Sequence, residues 1–226
     1  MEITYLGHSC FQVAVAGVRL LFDPFISPNE LASHIDISAL KPDYILITHG
    51  HEDHVADVEM IAKQSGAKLI SNYEIISYYE KKGLKGHPLN HGGQWAFDFG
   101  KVRYVNAVHT SSMPDGSYGG QPGGFVVMTS EGNFYVAGDT ALTYDMKLIP
   151  ETICSLDVAI LPIGDNFTMG YQDAITAAKF IECSHIIPAH YDTFGYIKVD
   201  KKLIEREFNH AKIKLTFMEI GGMMVI

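Results

Sequence analysis

The chain's 226 residues are enough to bury a sizeable core, and 47% hydrophobic with 19% charged residues is the balance of an ordinary globular protein. A net charge of −9, with no Lys/Arg cluster longer than a pair, argues against a nucleic-acid surface, which needs a basic stripe. Cys10, Cys154 and Cys183 form neither a disulfide framework nor a C-x-x-C pair, and no leader-like or membrane-length apolar run occurs, so the expectation is one cytoplasmic domain over residues 1–226.

Ile3-Thr4-Tyr5-Leu6 reads as a first strand closed by Gly7-His8-Ser9. Phe11 to Ala16 and Val18 to Phe22 form a hairpin around Gly17, ended by Asp23-Pro24, where proline bars further ladder pairing. Residues 26–41 read as irregular. Tyr44-Ile45-Leu46-Ile47 has the apolar run of a fully buried strand. Val55, Val58, Ile61 and Ala62 then repeat at helical spacing, with Gly66 placed as a helix-ending glycine. Lys68 to Ser71 is a short strand, and Asn72 caps a second helix over Tyr73 to Lys82. Two strands follow, Trp95 to Phe97 and Val102 to Val108. The glycine-rich segment Thr110 to Gly124 is too long for a hairpin and reads as a lid or substrate wall. Beyond it come a hairpin (Phe125 to Thr129, Phe134 to Ala137), a strand at Val158 to Leu161 and a helix from Tyr171 to Glu182. The chain closes with a strand at His185 to Pro188, a helix at Lys201 to Phe208, and strands at Ile213 to Met218 and Met223 to Ile226. The similarity of Asp43 to Ile47 and Asp157 to Leu161 suggests two related halves, each a sheet with helices outside.

The chemistry concentrates at Thr48-His49-Gly50-His51-Glu52-Asp53-His54, directly after a buried strand. As packing residues, these three imidazoles and one carboxylate would each need a separate polar partner. A metal site satisfies all four, because neutral imidazole and carboxylate are ordinary ligands for zinc, manganese or iron. His109, Asp139 and His190 also stand at predicted strand ends, where layered α/β folds gather their sites. Seven ligands suit two metals with one shared carboxylate. Such a pair can hold a water as hydroxide near neutral pH and stabilise the oxyanion made by its attack. The reaction expected is hydrolysis of an ester-like bond: a lactone, thioester, amide or phosphodiester.

T-H-x-H-x-D-H, followed by a histidine, a Gly-Asp-Thr aspartate and a late histidine, resembles the metallo-β-lactamase superfamily from Tyr5 to about Thr193. Gly7-His8-Ser9, Leu161 to Gly170 and Pro188-Ala189-His190-Tyr191 are similar to a branch of metal-dependent hydrolases related to L-ascorbate-6-phosphate lactonase. The resemblance implies an α/β fold, a four-layer αββα sandwich with a dinuclear site at one edge. It assigns His49, His51 and His109 to one metal, Asp53, His54 and His190 to the other, and Asp139 to both. Zinc is the first expectation for the two ions, with manganese or iron as substitutes. Asp23 matches an early aspartate that supports the ligands. Asp53 and His8 are the catalytic candidates, with His8 lining the site as a ligand, a proton donor or a substrate contact. Asp165 and Asn166 either cap the following helix or hydrogen-bond near the metals. The partner expected is a small-molecule substrate, with neither nucleic acid nor membrane, and base rates favour a homo-oligomer. Two alternatives share the fold. A diiron oxidoreductase carries Glu at the position of His51 and a flavin module, and a phosphodiesterase or nuclease sits poorly with the acidic charge.

Overall fold

The computed structural model describes residues 1–226 and contains two sheets of seven strands each. The first half contributes β1 (Glu2–Gly7), β2 (Cys10–Val15), β3 (Val18–Phe22), β4 (Tyr44–Leu46), β5 (Lys68–Ser71) and β6 (Gly86–Pro88). The second contributes β7 (Gln94–Phe97), β8 (Gly100–Asn106), β9 (Gly123–Thr129) and β10 (Gly132–Val136), then β11 (Val158–Pro162), β12 (His185–Ala189) and β13 (Lys214–Leu215). A last strand, β14 (Met223–Val225), returns to pair with β1, so the sheet orders are 14-1-2-3-4-5-6 and 13-12-11-10-9-8-7.

Each sheet is antiparallel on one side and parallel on the other. The switch falls at β3 in the first sheet, antiparallel to β2 and parallel to β4, and at β10 in the second, antiparallel to β9 and parallel to β11. β4 and β11, the two strands with similar sequences, therefore hold equivalent positions, which is the two-halves pattern the sequence suggested. Parallel strands demand crossovers, and these supply the outer layers. α1 (Glu52–Val55), α2 (Val58–Ser65) and α3 (Tyr73–Glu80) belong to the first half. α4 (Leu148–Thr152), α5 (Tyr171–Phe180) and α6 (Lys201–His210) belong to the second.

Strand alternation sorts the apolar residues into three cores. Tyr44 and Leu46 face inward with Phe22, Phe125, Phe134 and Val158, while Ile45 and Ile47 face outward onto Val58, Ile61 and Ile75. On the far side, Ala159 and Leu161 pack with Ala174, Ala177, Ile204 and Phe208. The layers are thus helix, sheet, sheet, helix. Phe22 is wedged edge-on against Phe125 and Phe134, with ring centroids 6.2 and 6.0 Å away. Fully burying each such ring stabilises by about 1.5–3 kcal/mol.

Most predicted elements are present, and their caps behave as the sequence suggested. Gly66 ends α2 in the left-handed region at φ +75°, and the Asn72 side chain accepts from the Ile75 amide at the start of α3. The differences have local causes. β6 and α4 were not expected: β6 carries too few apolar residues to show a period, and α4 has Pro150 in its first turn, where proline is tolerated. The strand predicted over Ile213 to Met218 shrinks to β13, which lies at a sheet edge with only β12 to pair with. The segment over residues 26–41 is irregular apart from single 3-10 turns at Glu30–Ala32 and Ile37–Ala39.

Candidate metal centre

The polar residues singled out in the sequence come together where the parallel strands end. Asp23 follows β3, residues 47–51 follow β4, Asp139 follows β10 and His190 follows β12. His109 stands three residues beyond the end of β8. His51 occupies the capping position of α1 but makes no side-chain capping bond, so its ring turns into the cluster. Gly50 lets this turn lie against the following loop: a Cβ there would come within 2.7 Å of Met113 Sδ and 3.1 Å of the Ser112 carbonyl. Gly138 acts likewise beside Asp139, since its Cβ would meet Thr48 Oγ1 at 2.7 Å and its φ is +63°.

Ligand atoms of His49, His51 and His109 lie within 4.8 Å of one another, as do those of His8, Asp53, His54 and His190. Asp139 stands between the two groups. Its Oδ1 is 3.3 Å from His54 Nε2, and its Oδ2 is 3.0 Å from His190 Nε2, 3.6 Å from His109 Nε2 and 4.0 Å from His49 Nε2. Asp53 Oδ2 lies 3.6 Å from His190 Nε2 and 4.0 Å from His54 Nε2.

Asp23 is completely buried and organises the ligands from behind. It accepts from the Thr48 amide at 2.8 Å, the Thr48 hydroxyl at 2.6 Å and His54 Nδ1 at 2.9 Å. Because the Thr48 hydroxyl proton is committed to Asp23, Thr48 Oγ1 accepts from His49 Nδ1 at 3.1 Å. Both rings therefore carry their proton on Nδ1 and aim Nε2 into the cluster, as carboxylate and hydroxyl partners do for metal-bound histidine. Thr48 was missed by sequence reasoning, although its place in the Thr-His-Gly-His run is the only signal it gives. Tyr104 donates to the Thr48 carbonyl at 2.7 Å and pins the same turn.

Three buried atoms lack a hydrogen-bond partner within this region: His54 Nε2, Asp139 Oδ1 and His190 Nδ1. Leaving a buried polar atom unpaired costs about 1–3 kcal/mol. His49 Nε2 and His51 Nδ1 also face each other at 3.0 Å. A cation among the ligand atoms satisfies His54 Nε2 and Asp139 Oδ1 and separates the facing His49 and His51 nitrogens, while His190 presents its other nitrogen, Nε2, to the same cluster, so the residues present fit a metal. Backbone strain points to the same place. His8, Asp23 and His190 adopt left-handed φ values of 54°, 43° and 54°, which for residues with a side chain costs about 1–3 kcal/mol each.

The electrostatics divide the cluster. Burial opposes charge on His54, but Asp139, Asp53 and Asp23 outweigh it and hold the imidazole well above the ordinary histidine range. Burial likewise opposes charge on His190, yet Asp139 and Asp53 lift it to about 9. Burial depresses His49, His51 and His109, and neighbouring imidazoles add to the effect. Burial alone would raise Asp139 and Asp53; the surrounding histidines reverse this and hold both carboxylates well below their usual range.

Two expectations change. His8 does not line the cavity in front of the cluster. It is buried behind Asp53, with Nε2 3.1 Å from Asp53 Oδ2 and Nδ1 2.9 Å from Thr193 Oγ1, and burial lowers it to about 4. Asp165 and Asn166 are exposed, and Asp165 Oδ1 accepts from the Asn166 amide, so they shape their own turn and make no hydrogen bond to the cluster. The cavity, about 260 Å³, is lined by His51, Asp53, His109, Asp139 and His190 with Thr110, Phe167 and Phe194. Of the predicted glycine-rich lid only Thr110 reaches it. The rest of that loop is tied down, with Met113 buried and Asn72 Nδ2 donating to the Gly119 carbonyl at 2.8 Å. Phe167 and Phe194 form the far wall; Phe167 lies in the Leu161 to Gly170 stretch singled out above but had no role assigned, and nothing in the sequence marked Phe194.

A family model described as beta-lactamase superfamily domain matches residues 2–190. The chain belongs to the beta-lactamase superfamily. Within it, the chain groups with metal-dependent hydrolases. A protein so named from Flavobacterium johnsoniae is 57% identical, and one from Christiangramia forsetii is 55% identical, each over 98% of both chains. The structure of Igni18, a metallo hydrolase from Ignicoccus hospitalis, superposes with a TM-score of 0.89 at 33% identity, covering 99% of this chain and 97% of that one. The two seven-stranded sheets flanked by helices are the layered metallo-β-lactamase arrangement expected from the sequence. No helix is long and apolar enough to cross a membrane.

Proposed function

We propose that this superfamily member hydrolyses an ester-like bond of a small molecule at a dinuclear metal centre. His49, His51 and His109 hold one ion, Asp53, His54 and His190 hold the second, and Asp139 is shared. The observation that carries the proposal is the convergence of seven ligand side chains, two of which, His54 and Asp139, hold buried atoms there with no hydrogen-bond partner. Neutral imidazoles with carboxylates suit zinc first, and accept manganese or iron. When bound, two such ions supply Lewis acidity that makes water nucleophilic near neutral pH and stabilises developing oxyanion charge.

The chain's own residues do the rest. Asp139 directs one oxygen to His54 and the other to His190, His109 and His49, which sets the spacing of the two halves. Asp53 faces the cavity and makes its hydrogen bond through Oδ2, to His8. Its Oδ1 is left to take a proton from the attacking water and return it to the leaving group. His8 is a positioning residue: donating Nε2–H to Asp53 and accepting from Thr193, it keeps Asp53 ionised and aimed. Phe167 and Phe194 exclude bulk water from one side, which strengthens every charge interaction inside.

The test is metal analysis of the purified protein, followed by a screen of lactones, thioesters and phosphodiesters. Two equivalents of metal and turnover lost in His49→Ala and Asp139→Ala are expected. Full turnover by the metal-free Asp139→Ala protein would refute the mechanism.

A further inference from the structure

Phe167 and Phe194 have a second face. They also line a groove of about 710 Å³ whose other walls include Leu31, Thr193 and Tyr196, so the small cavity at the ligands and a larger one lie side by side and share these two rings. The groove by itself is on the scale of a drug-sized ligand site, whereas the inner cavity, about 260 Å³, falls below that scale. Leu31, Phe167, Phe194 and Tyr196 are 49, 49, 38 and 80% exposed, a cluster of large apolar side chains that no element of the fold covers. Their rings are braced against the site: Phe194 packs on His8 at 5.4 Å between centroids and on Phe25 at 6.1 Å, and Phe167 meets Tyr196 at 6.2 Å.

The charge of the groove is equally informative. No Lys or Arg lines either cavity, and the one formal charge in the groove is Glu30, exposed and without an ion-pair partner. A phosphate or carboxylate on the arm of a substrate would meet no cation there and would face a carboxylate instead. Anion sites are built from Arg, Lys or amide-rich turns, and this groove offers aromatic faces.

Building on the hydrolase reading above, we propose that the groove is the specificity subsite for an uncharged apolar arm, aryl or alkyl. The preferred substrates are then lactones or esters with such an arm beside the scissile bond. Substrates whose arm ends in phosphate or carboxylate are disfavoured. Leu31 and Tyr196 act on affinity for the arm, not on the bond-breaking step.

Two measurements test this on the zinc-loaded protein. The first is kcat/KM for γ-lactones with alkyl arms of increasing length and for matched arms ending in carboxylate. The expected gain is about 4-fold per methylene until the groove is filled, since each buried methylene contributes a roughly constant increment. The carboxylated arms lose that gain. Tyr196→Ala flattens the length dependence, and Glu30→Lys raises kcat/KM for carboxylated arms about 3–5-fold, the scale of one exposed charge pair. The second is NMR binding of 6-phenylhexan-1-ol, expected to shift the methyl signals of Leu31 and Thr193 and to weaken in Tyr196→Ala. Turnover indifferent to arm length, turnover faster with the carboxylated arm, or an alcohol that shifts neither methyl overturns the subsite. Groove binding with no lactone, thioester or phosphodiester turned over would instead defeat the hydrolase reading and leave the subsite standing.

Discussion

Replacing Asp23 with Asn separates support of the metal centre from the centre itself. The variant keeps the shape of the side chain, and Asn tolerates the left-handed φ of 43° as well as Asp does. What it loses is acceptor capacity. Asp23 accepts three hydrogen bonds, from the Thr48 amide, the Thr48 hydroxyl and His54 Nδ1. An amide has one acceptor oxygen and one donor nitrogen. If the oxygen keeps the Thr48 amide, the Asn nitrogen faces the Thr48 hydroxyl and His54 Nδ1. His54 then accepts at Nδ1 and moves its proton to Nε2, the atom needed for the metal. Disturbing such a supporting carboxylate weakens metal binding about 10–100-fold, or about 1.4–2.7 kcal/mol. The buried donor left unmatched costs a further ~1–3 kcal/mol of stability in the metal-free protein. Competition against a chelator of known affinity measures the first quantity, and urea unfolding of the metal-free protein the second. Unchanged metal affinity in a folded Asp23→Asn protein would refute the tautomer argument and with it the role assigned to Asp23.

Metal uptake is expected to release protons. His190, lifted to about 9, and His54, held well above the ordinary histidine range by its carboxylate neighbours, must deprotonate to ligate, whereas burial favours the neutral form of His49, His51 and His109. Calorimetry at pH 7 in buffers of different ionisation enthalpy reads about two protons; a value of zero contradicts this charge assignment. Because His190 is raised from 6.5 to about 9, its contribution to stability without metal is complete below about 6.5 and disappears as pH rises through about 9, which unfolding midpoints across that window check. Chelation should lower the unfolding free energy by about 2.7 kcal/mol relative to protein with free metal at a hundred times its dissociation constant. Gly138→Ala forces a Cβ onto Thr48 in a left-handed position and should cost about 2–4 kcal/mol by urea denaturation, with metal affinity falling alongside; a neutral substitution there would contradict the close approach.

The sequence by itself carried the local parts of this protein. Apolar runs at 44–47 and 158–161, the glycine after α2 and the Asn72 cap are short-range signals that tertiary packing reinforced. The dense His/Asp turn was legible as chemistry because nothing in packing calls for it, and the strand-end positions of His109, Asp139 and His190 hinted at where they meet. Only the fold decided what those residues do to one another. That His8 stands behind Asp53, that Thr48 fixes the protons of His49, and that Asp165 turns away depend on the left-handed turns at 8, 23, 165 and 190. A one-residue reversal there re-aims a side chain by several ångströms, which no periodicity records. The substrate wall shows the same limit: the glycine-rich loop looked like the lid, yet it is tied to Asn72 and Gly50. Phe167 and Phe194, from two unremarkable turns, face the ligands because β11 and β12 lie side by side and deliver both turns to the same edge. Ligand type is a property of residues and can be read along a chain. The wall that selects a substrate is a property of distances between segments far apart in sequence, and only the folded chain sets them.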